Sequence, residues 1–388
     1  MAVIQTTERL ADIAQPDWDH LVGDDGFYLS YDWLTYVESE QAEQPRYLLC
    51  TDSGVPRGAL TLYRVLQPPN LRYRAEHFRD LLGVHGETLL AGACRGYRST
   101  LLLPPSGGAS RRTETLAALI ESARAQAAAE GCAGIVLPFL TTGGLLEVAE
   151  MAPVRAAFEM PEAEIEGCER GMDGYTERAP RRVRSKIRSD RARFDQAGWS
   201  ARERNLEDCW QDAARLLESL ERKHDHTQRT IEQLERQLAG QAKQLAHRSV
   251  VFTCEDDQGM AGIVVFYRWR STLYGRLAGF DYDRLRNGCE YFSLVIYAPV
   301  EYAATAEVRN LHLGAGSWEA KGYRGAILRP LWSAFIPAKA RAGGSGQRPG
   351  LELTNGAEVR RWIAEITRRS IRIDPTEWNA PERFAAAG

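Results

Sequence analysis

Two stretches of this sequence repeat one pattern: RYLLCTDSGVPRGALTLYRVL at residues 46–66 and RSVVFTCEDDQGMAGIVVFYRW at residues 248–269. Each begins with Arg and runs through apolar residues to an acidic or polar turn beside Gly. A second apolar run then ends in Tyr-Arg. Two apolar runs separated by a polar, Gly-containing turn predict a β-hairpin. The sequence therefore predicts two similar hairpins, one in each half of the chain.

The segments that follow the two hairpins are also alike. In the second half, a strand at 273–280, a helix at about 291–306 and a strand at 308–313 are predicted. In the first half, a helix at about 113–130 precedes a strand at 134–139. A hairpin, strand, helix and strand that occur twice indicate two related α/β lobes.

We expect an α/β fold of two tandem lobes, each a mixed and mostly antiparallel sheet flanked by helices. The lobes are predicted at 1–165 and 170–337. The second lobe carries a helical insert at about 206–247, where Leu and Ile residues recur at helical spacing. Residues 338–388 are predicted to form a flexible break and a tail with one helix at 357–369.

The composition is that of a globular protein, with 388 residues, 44% hydrophobic, 26% charged and a net charge of −3. These values exclude disordered, collagen-like and disulfide-scaffold classes. We expect no membrane span and a cytoplasmic location, because no apolar run reaches about 18 residues and the N-terminus does not resemble a signal peptide. The seven Cys never form C-x-x-C, and His224-Asp225-His226 fits a solvated helix face, so no metal is expected.

Residues 178–193, RAPRRVRSKIRSDRAR, are the strongest charge anomaly, with eight basic residues and one acid, Asp190. Pro180 and Gly198 suit the start and end of a helix. A narrow apolar stripe on this helix consists of Val183, Ile187 and Phe194. A second face is lined by Arg181, Arg184, Arg188 and Arg191.

Such a single-sign helix favours binding of phosphate groups, through bidentate Arg contacts and the field of the whole cluster. The alternative is that these cations pair with acidic residues elsewhere in the protein. The negative net charge argues against general coating of nucleic acid, and we expect no DNA partner. A local contact with one RNA end or one phosphorylated ligand fits better.

Residues 311–331, LHLGAGSWEAKGYRGAILRPL, run from a strand into a Gly-rich turn, where a backbone can approach a ligand closely. The turn leads into a crowded polar and aromatic group: Ser317, Trp318, Glu319, Lys321, Tyr323 and Arg324. Lys321 is notable because only five of the 49 basic residues are Lys, and its ammonium is a compact charge whose pKa can be tuned. The alternative is an ordinary exposed lysine.

Acidic residues also stand at the end of the 273–280 strand and at the start of the following helix. Asp281 follows Gly279-Phe280, and Glu290 precedes Tyr291. A carboxylate at such a position can accept a proton from an amine, but it can equally cap a helix. No G-x-S-x-G, Walker A or Gly-x-Gly-x-x-Gly motif supports a hydrolase, P-loop or Rossmann protein.

In this order, the motifs resemble the FemABX-like branch of the GNAT acyltransferase superfamily, which has two tandem GNAT lobes. The resemblance covers most of residues 30–337. The family's basic helix, Lys/Arg-x-Arg-x-x-Ile-Arg with a closing Gly, is similar to residues 182–198. Its late Lys, often in Phe-Lys-x-x-Phe-Gly, matches Lys321, although Ala320 stands where an aromatic residue is frequent.

The resemblance implies an acyltransferase that forms an amide by direct transfer, without a covalent enzyme intermediate or a cofactor. The family's CoA-binding Arg/Gln-x-x-Gly-x-Gly/Ala run is missing after 273–280, which favours aminoacyl-tRNA as the donor. We expect an amine acceptor, and the Arg-rich composition favours a small specialised metabolite of natural-product biosynthesis, such as an antibiotic. An acyl-CoA-dependent N-acyltransferase, a peptidoglycan-precursor aminoacyltransferase and a non-catalytic RNA-binding protein remain alternatives.

The resemblance also implies roles for particular residues. Lys321 is expected to stabilise the ester or its oxyanion, and Asp281 or Glu290 to handle the amine proton. Phosphate groups are expected to bind Arg184, Lys186 and Arg188. The remaining residues expected to contact the substrate or tRNA are Arg181, Tyr291, Trp318, Glu319, Tyr323 and Arg324.

Overall fold

A computed structural model describes most of the chain. The described residues are 2–41, 43–65, 70–104, 108–223, 229–339 and 349–387. His224-Asp225-His226 and the predicted break at 343–346 lie outside them. The described residues form two compact units. The first takes its residues from Met1–Pro161, Arg329–Arg369 and Ile373–Gly388, and the second from Glu162–Leu328 and Ser370–Arg372.

The elements are numbered along the chain. The strands are β1 Ala2–Thr7, β2 Glu43–Asp52, β3 Val55–Val65, β4 Thr88–Ala91, β5 Gly134–Leu140, β6 Pro153–Glu166, β7 Ser200–Arg204, β8 Ser249–Asp256, β9 Gly259–Trp269, β10 Thr272–Phe280, β11 Asn310–His312, β12 Ile327–Pro337, β13 Gly350–Leu353 and β14 Arg372–Ile373. The helices are α1 Gln15–Leu21, α2 Tyr31–Ser39, α3 Ala75–Leu82, α4 Ala109–Ala129, α5 Thr142–Met151, α6 Gly171–Arg178, α7 Arg181–Gln196, α8 Leu206–Lys223, α9 Ile231–Leu245, α10 Glu290–Phe292, α11 Ala298–Ala303, α12 Trp318–Gly322, α13 Gly356–Arg368 and α14 Pro375–Ala387. A π-helical segment, Ser293–Tyr297, joins α10 to α11.

The first unit is built on a mixed sheet with the strand order β1-β2-β3-β4-β5-β12-β6. Strands β2 and β3 form the hairpin predicted at 46–66. Its turn residues, Ser53 and Gly54, both have positive φ, as a two-residue hairpin turn with the right twist requires. Strand β4 then pairs antiparallel with β3 and parallel with β5.

The second unit repeats this arrangement in the order β6-β11-β10-β9-β8-β7, with β6 contributing its residues from Glu162 onward. Strands β8 and β9 form the hairpin predicted at 248–269. Strand β10 pairs antiparallel with β9 and parallel with β11. The predicted α/β class, with mixed and mostly antiparallel strand pairing in each unit, is confirmed. The short strand β4, which the sequence pattern did not reveal, completes the repeat in the first half.

The helical insert of the second unit consists of two helices, α8 and α9. Their apolar positions face inward, so that Leu216, Leu234 and Leu238 are fully buried. Helix α8 packs closely on β10, because Gly279 leaves no side chain between the strand and the backbone at Leu216. The interpretation of the Leu-rich pattern as helices packed on the second sheet is confirmed.

The C-terminal part of the chain belongs to the first unit. Residues 329–337, predicted at the end of the second lobe, lie there because β12 pairs antiparallel with β5. The helix predicted at 357–369 is α13, and α14 follows it. The rings of Phe158 and Trp378 pack 5.3 Å apart, and Trp378 is fully buried, so the described part of the tail contributes to the core of that unit.

Candidate functional site

The parallel strands of the second unit pair over only three residues, from Thr272 beside Asn310 to Tyr274 beside His312. Strand β11 ends there, whereas β10 continues to Phe280 along β9. The strands touch closely at Gly275, where an added Cβ would lie 3.2 Å from the His312 carbonyl oxygen. Beyond Gly275, no described strand pairs with β10 on its β11 side. The half-buried residues 275–278 therefore extend past the end of β11, and this edge of β10, which no described strand covers, is called the open edge below.

Lys321 lies beside the end of β11. Its side chain is carried by α12, is only 3% exposed, and its Nζ donates to the Leu313 carbonyl oxygen at 2.6 Å. Among the described residues no carboxylate forms an ion pair with it. Burial therefore lowers the pKa of Lys321 to about 7. A lysine with this pKa can both accept and donate a proton at neutral pH.

The turn between β11 and α12 has the backbone freedom that the Gly-rich sequence predicted. Gly314 has φ +72°, and Ser317 has φ +53°, an uncommon conformation for a residue other than Gly. The Ser317 side chain hydrogen bonds to the Tyr291 hydroxyl, and burial raises the pKa of Tyr291. The Tyr291 ring also packs on Phe280, with centroids 5.9 Å apart. Tyr291 thus connects the far end of the open edge to the start of α12.

A buried carboxylate, Asp190, joins the basic helix α7 to the segment that follows Lys321. Arg324 donates to Asp190 Oδ2 from Nε at 2.7 Å and from Nη2 at 2.6 Å, and Asp190 is fully buried. The hydroxyl of Tyr297 donates to the same oxygen at 2.8 Å. Burial alone would raise the pKa of Asp190, but Tyr297 and Arg324 hold it below its usual value.

Tyr297 reaches Asp190 from the π-helical segment, which offsets the register between α10 and α11. Such π-helical turns are rare and are frequent at functional sites. The Arg324 guanidinium also lies 3.2 Å from the centroid of the Phe292 ring, at the end of α10. Asp190 and Arg324 are therefore enclosed by the helix that follows β10.

Glu290, expected to handle the amine proton, is a buried acceptor in the described structure. Its Oε1 accepts from Trp199 Nε1 at 2.9 Å and from the Arg286 backbone N–H at 2.8 Å. Burial alone would raise its pKa, but backbone N–H groups and Trp199 hold the pKa of Glu290 below its usual value. A carboxylate held in its ionised form is a weak proton acceptor. It also stabilises a turn in which Cys289 has φ +63°.

Asp281, the other expected proton acceptor, directly follows the end of β10. Gly275 lies level with the end of β11, and Asp281 lies six residues farther along the chain. At about 3.3 Å per residue this places it about 20 Å farther along the strand. Its carboxylate faces Arg215 on α8, 3.8 Å away. Arg215 is therefore the cation that Asp281 faces in the described structure.

The basic segment forms the predicted helix, α7, with Ile187 and Phe194 buried and Val183 half-buried. Two of its cations pair with carboxylates, Lys186 with Asp190 and Arg191 with Glu301. Within the described residues, five arginines of this helix have no carboxylate partner: Arg181, Arg182, Arg184, Arg188 and Arg193. The exposed residues Arg181, Arg184 and Arg188 are called the basic surface below.

The remaining predicted residues cluster around α12. Trp318 and Glu319 are half-buried in its first turn, and Arg324 is buried just after its end. Tyr323 is half-buried, and the Arg182 guanidinium lies 5.3 Å from the centroid of its ring. The structure therefore brings Lys321, Tyr291 and the α12 residues together, next to the helix that carries the basic surface.

The FemAB-like family model, which describes peptidoglycan biosynthesis and recognition, matches residues 101–343, more than half of the chain. The chain belongs to the FemAB-like family. The sequence matches none of the curated proteins with which it was compared.

The fold of this FemAB-like protein is similar to that of solved structures with very different sequences. The FemX crystal structure superimposes with a TM-score of 0.61 at 12% identity, over 86% of this chain and 98% of that one. A protein of unknown function from Bacteroides thetaiotaomicron VPI-5482 gives 0.55 at 11%, over 86% and 100%. The C-terminal domain of a putative lysylphosphatidylglycerol synthetase from Agrobacterium fabrum gives 0.53 at 10%, over 92% and 96%.

In the first unit of the FemAB-like chain, the position that corresponds to the open edge of β10 is the end of β4, and other residues of that unit pack there. After β4, residues 92–99 fold back beside β5, where the Ser99 N–H donates to the Phe139 carbonyl at 2.8 Å. Trp33 Nε1 donates to the Cys94 carbonyl at 2.9 Å. Gly96 packs so closely that an added Cβ would lie 2.2 Å from the Tyr28 ring. No open strand edge with a buried lysine occurs among the described residues of the first unit.

Asp190 and Glu162 are among the buried acidic residues of the second unit to which the sequence analysis gave no role. Asp190 had a detectable signal, because it lies three residues after Ile187 and four before Phe194, on the apolar stripe of α7. Glu162 had none; its Oε2 lies 2.6 Å from His312 Nε2, and both side chains are buried. In the described residues of this FemAB-like protein, no group of His, Cys, Asp and Glu could hold a metal, and no helix is long and apolar enough to cross a membrane.

Proposed function

We propose that this FemAB-like protein is an amide-forming aminoacyltransferase, which moves an aminoacyl group from aminoacyl-tRNA to the amine of a small specialised metabolite. The observation that carries the proposal is Lys321, buried beside an open strand edge with a backbone carbonyl as its partner. Such a lysine suits proton transfer and charge stabilisation during acyl transfer. The basic surface on α7 supports a donor that carries phosphates.

In the proposed reaction, the acceptor nitrogen attacks the ester carbonyl carbon of the aminoacyl-tRNA. The C–N bond forms, the C–O bond to the ribose breaks, and the ribose hydroxyl leaves with a proton. Unprotonated Lys321 accepts the proton that the attacking amine loses. The resulting ammonium then stabilises the oxyanion and supplies the proton to the leaving oxygen. A pKa of about 7 allows both steps at neutral pH.

The second candidate acceptor is a peptidoglycan precursor. The description of the matching family as peptidoglycan biosynthesis and recognition favours it. An extended peptide would lie along the edge of β10 that no described strand covers, since strand addition is a common way of binding peptides. The donor and the chemistry at Lys321 would be the same for both acceptors.

The test is a transfer assay with radiolabelled aminoacyl-tRNAs against two acceptor sets, small amines and peptidoglycan precursors. We expect an RNase-sensitive amide product with one acceptor set, and no product with the Lys321→Met variant. Lys339→Met, which removes an exposed lysine, serves as the matched control. A product that resists RNase and requires an acyl-CoA thioester would overturn the proposed donor. Retained tRNA binding without product from either donor would indicate a non-catalytic RNA-binding protein.

A further inference from the structure

Asp190 is the one acid on the basic segment, yet its carboxylate faces inward. Its Oδ2 accepts two bonds from Arg324 and one from Tyr297, as described above, and its Oδ1 accepts from the Cys289 thiol at 3.3 Å. Lys186 approaches from the opposite side, with Nζ 3.2 Å from Oδ1. The Lys186 side chain is 44% exposed. One carboxylate therefore contacts a fully enclosed arginine on one side and a cation beside the basic surface on the other.

Arg324 is tightly connected to the helix that carries Lys321. Its Nη1 donates to the Ala320 carbonyl at 2.9 Å, and its backbone N–H donates to the Lys321 carbonyl at 2.9 Å. Its own carbonyl accepts from the Tyr175 hydroxyl. A displacement of Arg324 therefore moves the backbone on both sides of Lys321. Asp190 is the buried counter-charge that keeps Arg324 in place.

We propose that Asp190 is a positioning residue, which holds the helix of Lys321 through Arg324 and couples it to donor binding through Lys186. The inference rests on the proposed function, because it takes the donor phosphate to bind beside Lys186. A phosphate competes with Asp190 for the Lys186 ammonium. When Lys186 turns to the phosphate, Arg324 is the cation that remains paired with Asp190, and the Tyr297 hydroxyl and the Cys289 thiol are its uncharged donors. Donor binding thereby strengthens the contact that places Lys321.

The decisive comparison is Asp190→Asn against Asp195→Asn. Both remove one negative charge from α7 by the same substitution, but Asp195 is exposed and faces none of these residues. In Asp190→Asn, Lys186 loses its carboxylate partner and Arg324 its counter-charge. We expect kcat to fall by about tenfold to a hundredfold, as a displaced catalytic group causes. The Kd for tRNA is expected to be unchanged or up to about fivefold tighter, because Lys186 is then available to phosphate.

A positioning role predicts that kcat falls while the affinity for the donor is kept or tightened. Disruption of the whole unit would instead reduce both kcat and donor affinity. Asp195→Asn is expected to stay within about twofold of the wild type in kcat and Kd. The inference is overturned if Asp190→Asn keeps the kcat of Asp195→Asn. It is also overturned if the tRNA affinity of Asp190→Asn falls in proportion to kcat.

Hydrogen exchange tests the same inference without any reaction. Peptides covering 314–326 are expected to exchange faster in Asp190→Asn than in Asp195→Asn, while peptides from β8 and β9 keep their protection. If the wild type transfers no acyl group to any acceptor, the proposed function fails, and this measurement alone decides whether Asp190 holds α12. Equal exchange in both variants would refute the positioning role.

Tyr297→Phe provides a milder second variant, should Asp190→Asn fold poorly. It removes one hydrogen bond from Asp190 and leaves the ion pair with Arg324 intact. We expect the same pattern at smaller size, a kcat reduced by roughly threefold to tenfold with donor affinity unchanged. A wild-type kcat in this variant, together with unaltered exchange over 314–326, would contradict the inference.

Discussion

The Nζ atom of Lys321 lies 2.6 Å from the carbonyl oxygen of Leu313, the residue that follows strand β11. This contact places a buried amine where the parallel strands β10 and β11 separate. A backbone carbonyl satisfies one donor but carries no full charge, so the burial of the ammonium is not compensated. The position that suits Lys321 to chemistry is therefore one that destabilises the folded protein.

Replacing Lys321 with Met is expected to stabilise the protein at pH 7. Holding a lysine at a pKa of about 7 instead of 10.5 costs about 4 kcal/mol at this pH. Leaving the Leu313 carbonyl without its donor costs roughly 1–3 kcal/mol. The net expectation is a gain of roughly 1–3 kcal/mol in the free energy of unfolding, measured by urea denaturation. Lys339→Met should change it by less than about 0.5 kcal/mol.

The same substitution has a predicted pH dependence. The folded-state pKa of Lys321 is lowered, so between pH 7 and 8.5 the unfolded chain binds more protons at this residue than the folded chain does. The lysine's cost to stability therefore decreases as pH rises. The stability difference between Lys321→Met and the wild type should shrink across this range. A constant difference would mean that Lys321 is not the group responsible.

Turnover by the wild type is expected to rise with pH and to reach half its maximum near pH 7. Lys321 must lose its proton before it can accept one from the attacking amine, and its pKa is about 7. Lys321→Met should reduce kcat by about 10²-fold to 10⁴-fold. The measurement is kcat over pH 5.5–8.5 with one saturating acceptor. A profile that falls through neutral pH would contradict the proton-accepting role.

Arg181→Ala combined with Arg188→Ala is expected to weaken tRNA binding and to reduce its salt dependence. Both arginines are exposed, and neither has a carboxylate partner in the described part of the chain. Removing two phosphate contacts should lower the slope of log K against log salt by about 1.4–1.8. Filter binding at several salt concentrations measures this slope. Arg222→Ala, which removes an exposed arginine of α8, is the control and should leave the slope unchanged.

Gly322→Ala is expected to destabilise the second unit and to disturb the helix of Lys321. An added Cβ would lie 2.4 Å from Ile371 Cγ2, with two further Ile371 atoms within 3.0 Å. Overpacking of this kind typically costs about 1–3 kcal/mol. The double variant Gly322→Ala, Ile371→Ala removes the clash and should recover part of that loss. If the double variant is less stable than the sum of the two single changes, this explanation is wrong.

Much of the fold was predictable because its elements are defined by local chemistry. The hairpins β2–β3 and β8–β9 are predicted by turn residues between apolar runs. Helix α7 is predicted by Pro180 and by the helical spacing of its apolar residues. Strand β4 was missed because four residues are too few to show a period. The placement of β12 in the first unit was also missed, since strand pairing depends on distant partners.

The candidate site shows the same division. Lys321 was singled out because lysine is rare in this sequence and stands in a motif that resembles the family's. Glu290 was expected to handle the amine proton, but its carboxylate already accepts hydrogen bonds from Trp199 and from backbone N–H groups. No local sequence pattern reveals these partners. The pairing of Asp281 with Arg215 likewise depends on the packing of α8 beside β10.

The sequence by itself determined the two α/β repeats, the basic helix and the lysine beside a Gly-rich turn, because each of these features depends on residues that are close together in the sequence. Only the tertiary structure decided that Lys321 is buried, that five arginines of α7 lack carboxylate partners among the described residues, and that Asp190 meets Arg324 across 134 residues. The physical reason is that a lysine's pKa and a carboxylate's partners depend on what packs around them, and those neighbours come from distant parts of the chain.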